Sequence, residues 1–109
     1  MQSAAGVLTQ GRVPADSWRR IGAMIGAVHE HGVDHPDLTA HNVLLDETGK
    51  PFLVDFDNAH RKPPGTWRRL GMQRFNRSLR KVALETGTEF DSSAWAKIET
   101  GYAERGTGG

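Results

Sequence analysis

The stretch between Asn42 and Asp55 constrains this chain most. Two short apolar runs, residues 43–46 and 52–54, flank the turn signal Asp46-Glu47-Thr48-Gly49-Lys50, so the segment reads as a β-hairpin. A hairpin returns the chain on itself, so the residues at its two open ends become neighbours. Setting Glu47 opposite Lys50 and Asp46 opposite Pro51, and continuing that register, puts Asn42 opposite Asp55. The expected result is a neutral amide oxygen beside a carboxylate at the mouth of the ribbon.

The elements around the hairpin read as helices. Residues 16–31 carry Trp18, Ile21, Ile25 and Val28 on one apolar face, with Asp16 as N-cap, Pro14 just ahead and Gly32 as the stop. Gly22 and Gly26 lower helix propensity inside it but permit close packing against a neighbour. Residues 33–42 are loop-like: Pro36 removes a backbone donor and biases His35 toward an extended conformation. Pro63, Pro64 and Gly65 make residues 55–66 irregular. A second helix is expected over residues 67–84, with Trp67, Leu70, Phe75, Leu79 and Val82 apolar. A last helix, capped by Asp91, carries Trp95, Ile98 and Tyr102 on one face. The order helix, loop, hairpin, loop, helix, helix predicts a mainly helical α+β domain. The ends, residues 1–15 and 105–109, read as flexible, and 109 residues allow one domain at most.

Composition narrows the function classes. No run of eighteen apolar residues is present, so no membrane-spanning helix is expected, and the opening MQSAAGVLTQG lacks the basic start and apolar core of a secretory signal. Cysteine is absent, which excludes disulfides and thiolate metal sites and fits a reducing compartment. The net charge of +1 conceals segregation: Arg61 to Lys81 holds eight Lys or Arg residues and no acid, whereas Val82 to the end holds five acids and two bases. The basic segment suits a phosphate-rich or carboxylate-rich partner, and equally a solvated helix face. Nucleic acid is not expected, because aromatic stacking positions are not interleaved with these charges.

Three residues carry the chemistry as a set. Asp37 in the loop can accept a proton from a hydroxyl. Asn42 and Asp55 at the hairpin mouth offer the hard oxygen ligands that magnesium prefers while it keeps water and phosphate in the rest of its shell. Singly, each has a bland role, as a loop carboxylate, a turn residue and a strand-end cap. Leu38, Leu44, Leu53 and Phe56 read as core, and His35 as a structural residue that holds the loop by hydrogen bonds. His29, His31, His35 and His41, with Asp34 and Asp37 nearby, make a rival zinc set, but their spacing follows no metal motif.

The run His35-Pro36-Asp37-Leu38-Thr39-Ala40-His41-Asn42, with Asp55-Phe56-Asp57 beyond the hairpin, resembles the H-x-D-L-x-x-x-N catalytic loop and D-F-G metal motif of protein kinases. The continuation D-F-D-N-A-H-R, then Trp67 and R-R-L-G-M-Q-R-F-N-R-S-L-R-K, resembles the 3-deoxy-D-manno-octulosonic acid (Kdo) kinases of lipopolysaccharide assembly. This resemblance implies the carboxy-terminal lobe of a protein-kinase-like fold, with a β-hairpin carrying the catalytic and metal loops. The implied reaction transfers the γ-phosphate of ATP to a Kdo hydroxyl on a lipid A precursor, at the cytoplasmic face of the anionic inner membrane. By the resemblance Asp37 is the catalytic base, Asn42 and Asp55 ligate Mg2+, and Arg61, Arg74, Arg77 and Lys81 contact substrate or membrane. Asp57 replaces the usual glycine, either as a further metal or substrate contact or as a cap.

The chain also departs from the kinase pattern. No glycine-rich phosphate loop, strand lysine or partner glutamate precedes Asp16, A-P-E is absent, and Pro36 stands where an arginine often precedes the catalytic aspartate. The expectation is therefore a partial domain over 1–109 whose amino-terminal lobe is absent, with no identifiable ATP-clamping residue and little activity alone. It would need a missing amino-terminal segment as partner. Two other readings stay open: half of another small-molecule or aminoglycoside-type phosphotransferase, and a non-enzymatic kinase remnant that binds anionic membrane surfaces.

Overall fold

The hairpin forms, and a third strand joins it. The computed structural model describes residues 1–11, 13 and 16–108, with side chains to residue 104 apart from those of the undescribed positions. Strand β1 (Gln2–Ser3) leads into helix α1 (Ala4–Gln10), and helix α2 (Ser17–Glu30) leads into β2 (Val33–Asp34). Strands β3 (Val43–Leu45) and β4 (Pro51–Leu53) form the hairpin, and β5 (His60–Arg61), α3 (Trp67–Thr86) and α4 (Ser92–Gly108) follow. One sheet has the order β1-β3-β4 and the other pairs β2 with β5, all antiparallel. This is the mainly helical α+β arrangement that periodicity predicts.

The hairpin register differs by one residue from the expectation. Val43 pairs with Leu53, Leu44 with Phe52 and Leu45 with Pro51, so Asn42 lies beside Val54 rather than opposite Asp55. The cause lies in the turn. Asp46 pairs with Lys50 across a three-residue loop, its N–H donating to the Lys50 carbonyl at 3.0 Å, and Gly49 takes the left-handed conformation at φ 85°. The Asp46 carboxylate accepts from the Thr48 N–H, the Thr48 hydroxyl and the Lys50 N–H at 2.7–2.9 Å. The hydrogen bond from Thr48, then that from Lys50, holds the Asp46 carboxyl below the usual carboxylate range. A glycine after a type I turn, with an aspartate closing it, favours this longer loop over a two-residue one.

Residues 2–10, part of the 1–15 end read as flexible, form a strand and a helix. Gln2 pairs with Leu45 and Ser3 with Leu44, Ser3 caps α1 by accepting from the Gly6 N–H at 3.0 Å, and Ala4, Ala5, Val7 and Leu8 are buried. Pairing of β1 with β3 and four buried apolar side chains outweigh the weak propensity of so short a helix. At the other end α4 continues to Gly108; Pro14, expected ahead of α2, and Gly109 lie outside the described residues. Asp16 stands at the N-cap position of α2, but with φ 68° and without a side-chain cap bond; its carboxylate lies 3.6 Å from Arg19 instead. Asp91 does cap α4, accepting from the Ala94 N–H at 2.9 Å.

The core gathers Ile21 and Ile25 of α2, Leu38 of the loop, Val43 of β3, Phe75 and Leu79 of α3 and Ile98 of α4. Leu70 is 48% exposed and lies outside it. Five residues separate it from Phe75, which rotates it about 140° around the helix, whereas Met72, Phe75, Leu79, Val82 and Ala83 share the inward face. Helices α2 and α4 touch backbone to backbone: a Cβ on Gly22 would lie 1.9 Å from the Ile98 carbonyl oxygen, and one on Gly101 would lie 1.9 Å from that of Arg19. The ion pair between Arg19 and Glu104 spans the same crossing. No described helix is long and apolar enough to cross a membrane.

Candidate functional site

The two-stranded sheet brackets the site. Val33 pairs with Arg61 and Asp34 with His60, so everything from His35 to Ala59 projects from one short ladder, which the 2.8 Å Lys62–Asp34 ion pair reinforces. Inside that bracket His35 is the central tie. Its ring is 1% exposed; Nε2–H donates to the Val54 carbonyl at 2.9 Å, while Nδ1 accepts the Asp37 N–H at 3.2 Å. Because a carbonyl only accepts and an amide N–H only donates, these partners dictate the tautomer with its proton on Nε2. One imidazole thus joins the backbone of Asp37 to the residue before Asp55. Phe56 packs edge-on against the same ring at 5.1 Å; expected in the core, it is 45% exposed because only one face finds this partner.

Asn42 is the second tie. Its N–H donates to the Thr39 carbonyl at 3.1 Å, its carbonyl accepts the Val54 N–H at 3.0 Å, and its Nδ2 donates to the Asp37 carbonyl at 2.8 Å. The last bond fixes which side-chain atom is nitrogen, leaving Oδ1 without a partner among the described residues. Asp55 follows Val54 in the left-handed region at φ 66°, which turns the chain off the ladder. The Asp37 and Asp55 carboxylates likewise have no hydrogen bond or ion pair among the described residues. The structure therefore gathers the backbones of Asp37, Asn42 and Val54–Asp55 into one hydrogen-bonded unit, although not through the register expected.

Neither packing partner of the loop is legible in the motif. Ala40, fully buried, donates its N–H to Ser78 Oγ of α3 at 2.8 Å, and its carbonyl accepts from the Ala5 N–H of α1 at 3.0 Å. Helices on both sides thus hold the middle of the loop. Arg74, Arg77 and Lys81 lie on the same α3 face as Ser78 and line a cleft with Thr39 and His41 of the loop. Arg61 is elsewhere: it sits on β5 and donates to the His31 carbonyl at 3.3 Å.

The donor set suits magnesium. Asn42 Oδ1 and the Asp55 carboxylate are hard oxygens without competing partners among the described residues, and two such ligands would leave room for the water and phosphate that Mg2+ retains. Two of the four histidines of the zinc alternative are otherwise engaged. His35 uses both ring nitrogens, and buried His29 shares a 2.7 Å hydrogen bond with the Tyr102 hydroxyl. No group of three or more His, Cys, Asp or Glu side chains suited to a metal occurs among the described residues.

An α+β domain whose hairpin and preceding loop share one hydrogen-bonded frame, with the side-chain oxygens of Asp37, Asn42 and Asp55 unpartnered among the described residues, is the class these observations define. The chain matches the Lipopolysaccharide kinase (Kdo/WaaP) family over residues 1–102 and belongs to that family. It is 39% identical over 101 residues to the 3-deoxy-D-manno-octulosonic acid kinase of Xylella fastidiosa (strain 9a5c), an alignment covering 92% of this chain and 41% of that protein. To the protein of the same name from Mannheimia succiniciproducens it is 32% identical over 104 residues, 93% of this chain and 43% of the relative. The Haemophilus influenzae (strain 86-028NP) protein of that name is 31% identical over 104 residues, with the same coverage of 93% and 43%. The chain thus spans about two fifths of the length of these curated relatives.

Proposed function

We propose that this chain carries the catalytic loop and metal ligands of an ATP-dependent Kdo kinase, which transfers the γ-phosphate to a hydroxyl of Kdo on a lipid A precursor. The observation that supports it best is the His35 bridge between Asp37 and Val54, which holds the base loop and the metal segment in one frame. In this reading Asp37 orients the acceptor hydroxyl and takes its proton as the oxygen attacks the γ-phosphorus and ADP departs. Asn42 and Asp55 would hold Mg2+, which neutralises phosphate charge when bound. The reading places the protein peripherally at the cytoplasmic face of the anionic inner membrane, where its lipid acceptor lies.

Because the chain spans about two fifths of the length of these relatives, it is proposed to be nearly inactive by itself. The test compares transfer from ATP to Kdo-bearing lipid A precursor and to aminoglycosides. It uses the chain alone and the chain joined to the amino-terminal part of the Xylella fastidiosa relative. Transfer to the Kdo lipid by the joined protein is expected; transfer to aminoglycosides alone ends the Kdo assignment. Asp37→Ala in the joined protein should lower turnover by about 10²–10⁴-fold with nucleotide affinity nearly kept. Equal loss of both would make Asp37 a structural residue.

A further inference from the structure

The basic residues of α3 fall into two groups once their positions are known. Arg74, Arg77, Ser78 and Lys81 stand at i, i+3, i+4 and i+7 and so share one helix face. Ser78 presses that face onto the loop through Ala40, which sets the flanking cations beside Thr39 and His41. The resulting cleft has a volume of about 770 Å³. Arg80 also reaches it but is engaged, donating to Asn76 Oδ1 at 2.9 Å and lying over the Phe90 ring. Glu85 brings one carboxylate to the far end, 3.9 Å from Lys81. Arg74 is the most telling member. Its Nη1 is buried and has no hydrogen-bond partner among the described residues. That buried atom is not itself open to the cleft, but the guanidinium has no acidic partner among the described residues, so an anion in the cleft would offset its charge.

We infer that this cleft binds an anionic group of the acceptor, a carboxylate or a phosphate, through Arg74 and Arg77, with His41 and Thr39 forming its loop-side wall. The inference rests on the proposed transfer only in calling the anion's owner the acceptor; the anion site itself does not. It separates Arg74, Arg77 and Lys81 from Arg61, which lies on β5 and does not line the cleft. It also makes α3 both the support of the catalytic loop and the anchor of the molecule that loop acts on.

The test needs no catalysis. The chain is titrated separately with inorganic phosphate and with the free sugar acid 3-deoxy-D-manno-octulosonic acid, and amide shifts are followed by NMR. Shifts confined to residues 39–41 and 74–81 are expected. Arg77→Gln, an exposed change that leaves the core intact, should weaken binding about tenfold or more. Arg69→Gln, an equal loss of charge on another face of α3, should leave it within twofold. Phosphate binding alone would assign the site to a lipid phosphate, and sugar-acid binding alone to the sugar carboxylate; either supports the site. Absence of shifts in the cleft with both ligands, or equal weakening by Arg69→Gln and Arg77→Gln, overturns it. A joined protein that binds the anion yet transfers nothing would count against the kinase reading and leave the cleft standing.

Discussion

Asp55 has a backbone role and a proposed metal-binding role, which single substitutions can separate. Its φ of 66° places a non-glycine residue in the left-handed region, which aspartate and asparagine tolerate and β-branched residues resist. Asp55→Asn keeps that tolerance and removes the charge, so thermal stability should stay nearly constant while magnesium-dependent nucleotide binding falls steeply in the joined protein. Asp55→Val should lose both, with stability lowered by about 1–2 kcal/mol in thermal unfolding. Retained magnesium dependence in Asp55→Asn would remove this residue from the metal site. At this scale the sequence was informative about identities and less so about partners. His35 was readable as a structural holder, but the atoms it holds, the Asp37 N–H and the Val54 carbonyl, follow from backbone turns that no residue type announces.

Among the elements, the α2–α4 pair shows how a glycine acquires a necessary place. A Cβ on Gly22 would stand 1.9 Å from the Ile98 carbonyl oxygen, 2.8 Å from its carbon and 3.0 Å from the Tyr102 nitrogen, all backbone atoms that cannot rotate away. Gly22→Ala should therefore force the helices apart and cost about 3 kcal/mol, read from the urea midpoint. The value of Gly22 for close packing was visible in the sequence, whereas its counterpart Gly101 was not, because a lone glycine near a chain end looks like a breaker. The hairpin is the opposite case. Its existence was plain from two apolar runs and a turn signal, but its register hung on whether the loop held two residues or three. Gly49 and the Asp46 side chain decide that question together. Strand β1 was missed because two residues, Gln2 and Ser3, carry no periodicity to detect.

Across the whole molecule, buried His29 and its half-buried ring partners Trp67 and Tyr102 link α2, α3 and α4 and make stability sensitive to acid. Burial, and secondarily the nearby Arg68, lowers His29 from 6.5 to about 4, with Asp34 opposing. The folded chain therefore keeps His29 neutral while the unfolded chain binds a proton below its ordinary value. Stability from this source is complete above about pH 6.5 and declines as pH falls toward about 4, by on the order of 3 kcal/mol. Urea unfolding at pH 7, 6 and 5 should show that decline, and His29→Gln should flatten it even though it is less stable at pH 7. An unchanged slope in the variant would assign the acid sensitivity to other groups. The backbone contact at Gly22 and Gly101 carries one more consequence, for the order in which the protein opens. Helices in contact at their main chains cannot loosen by rearranging side chains, so amide protons around Ile21, Ile25 and Ile98 should exchange with solvent last. Those flanking exposed Asp55 and Phe56 should exchange first, which would let the working end breathe above a floor that stays shut.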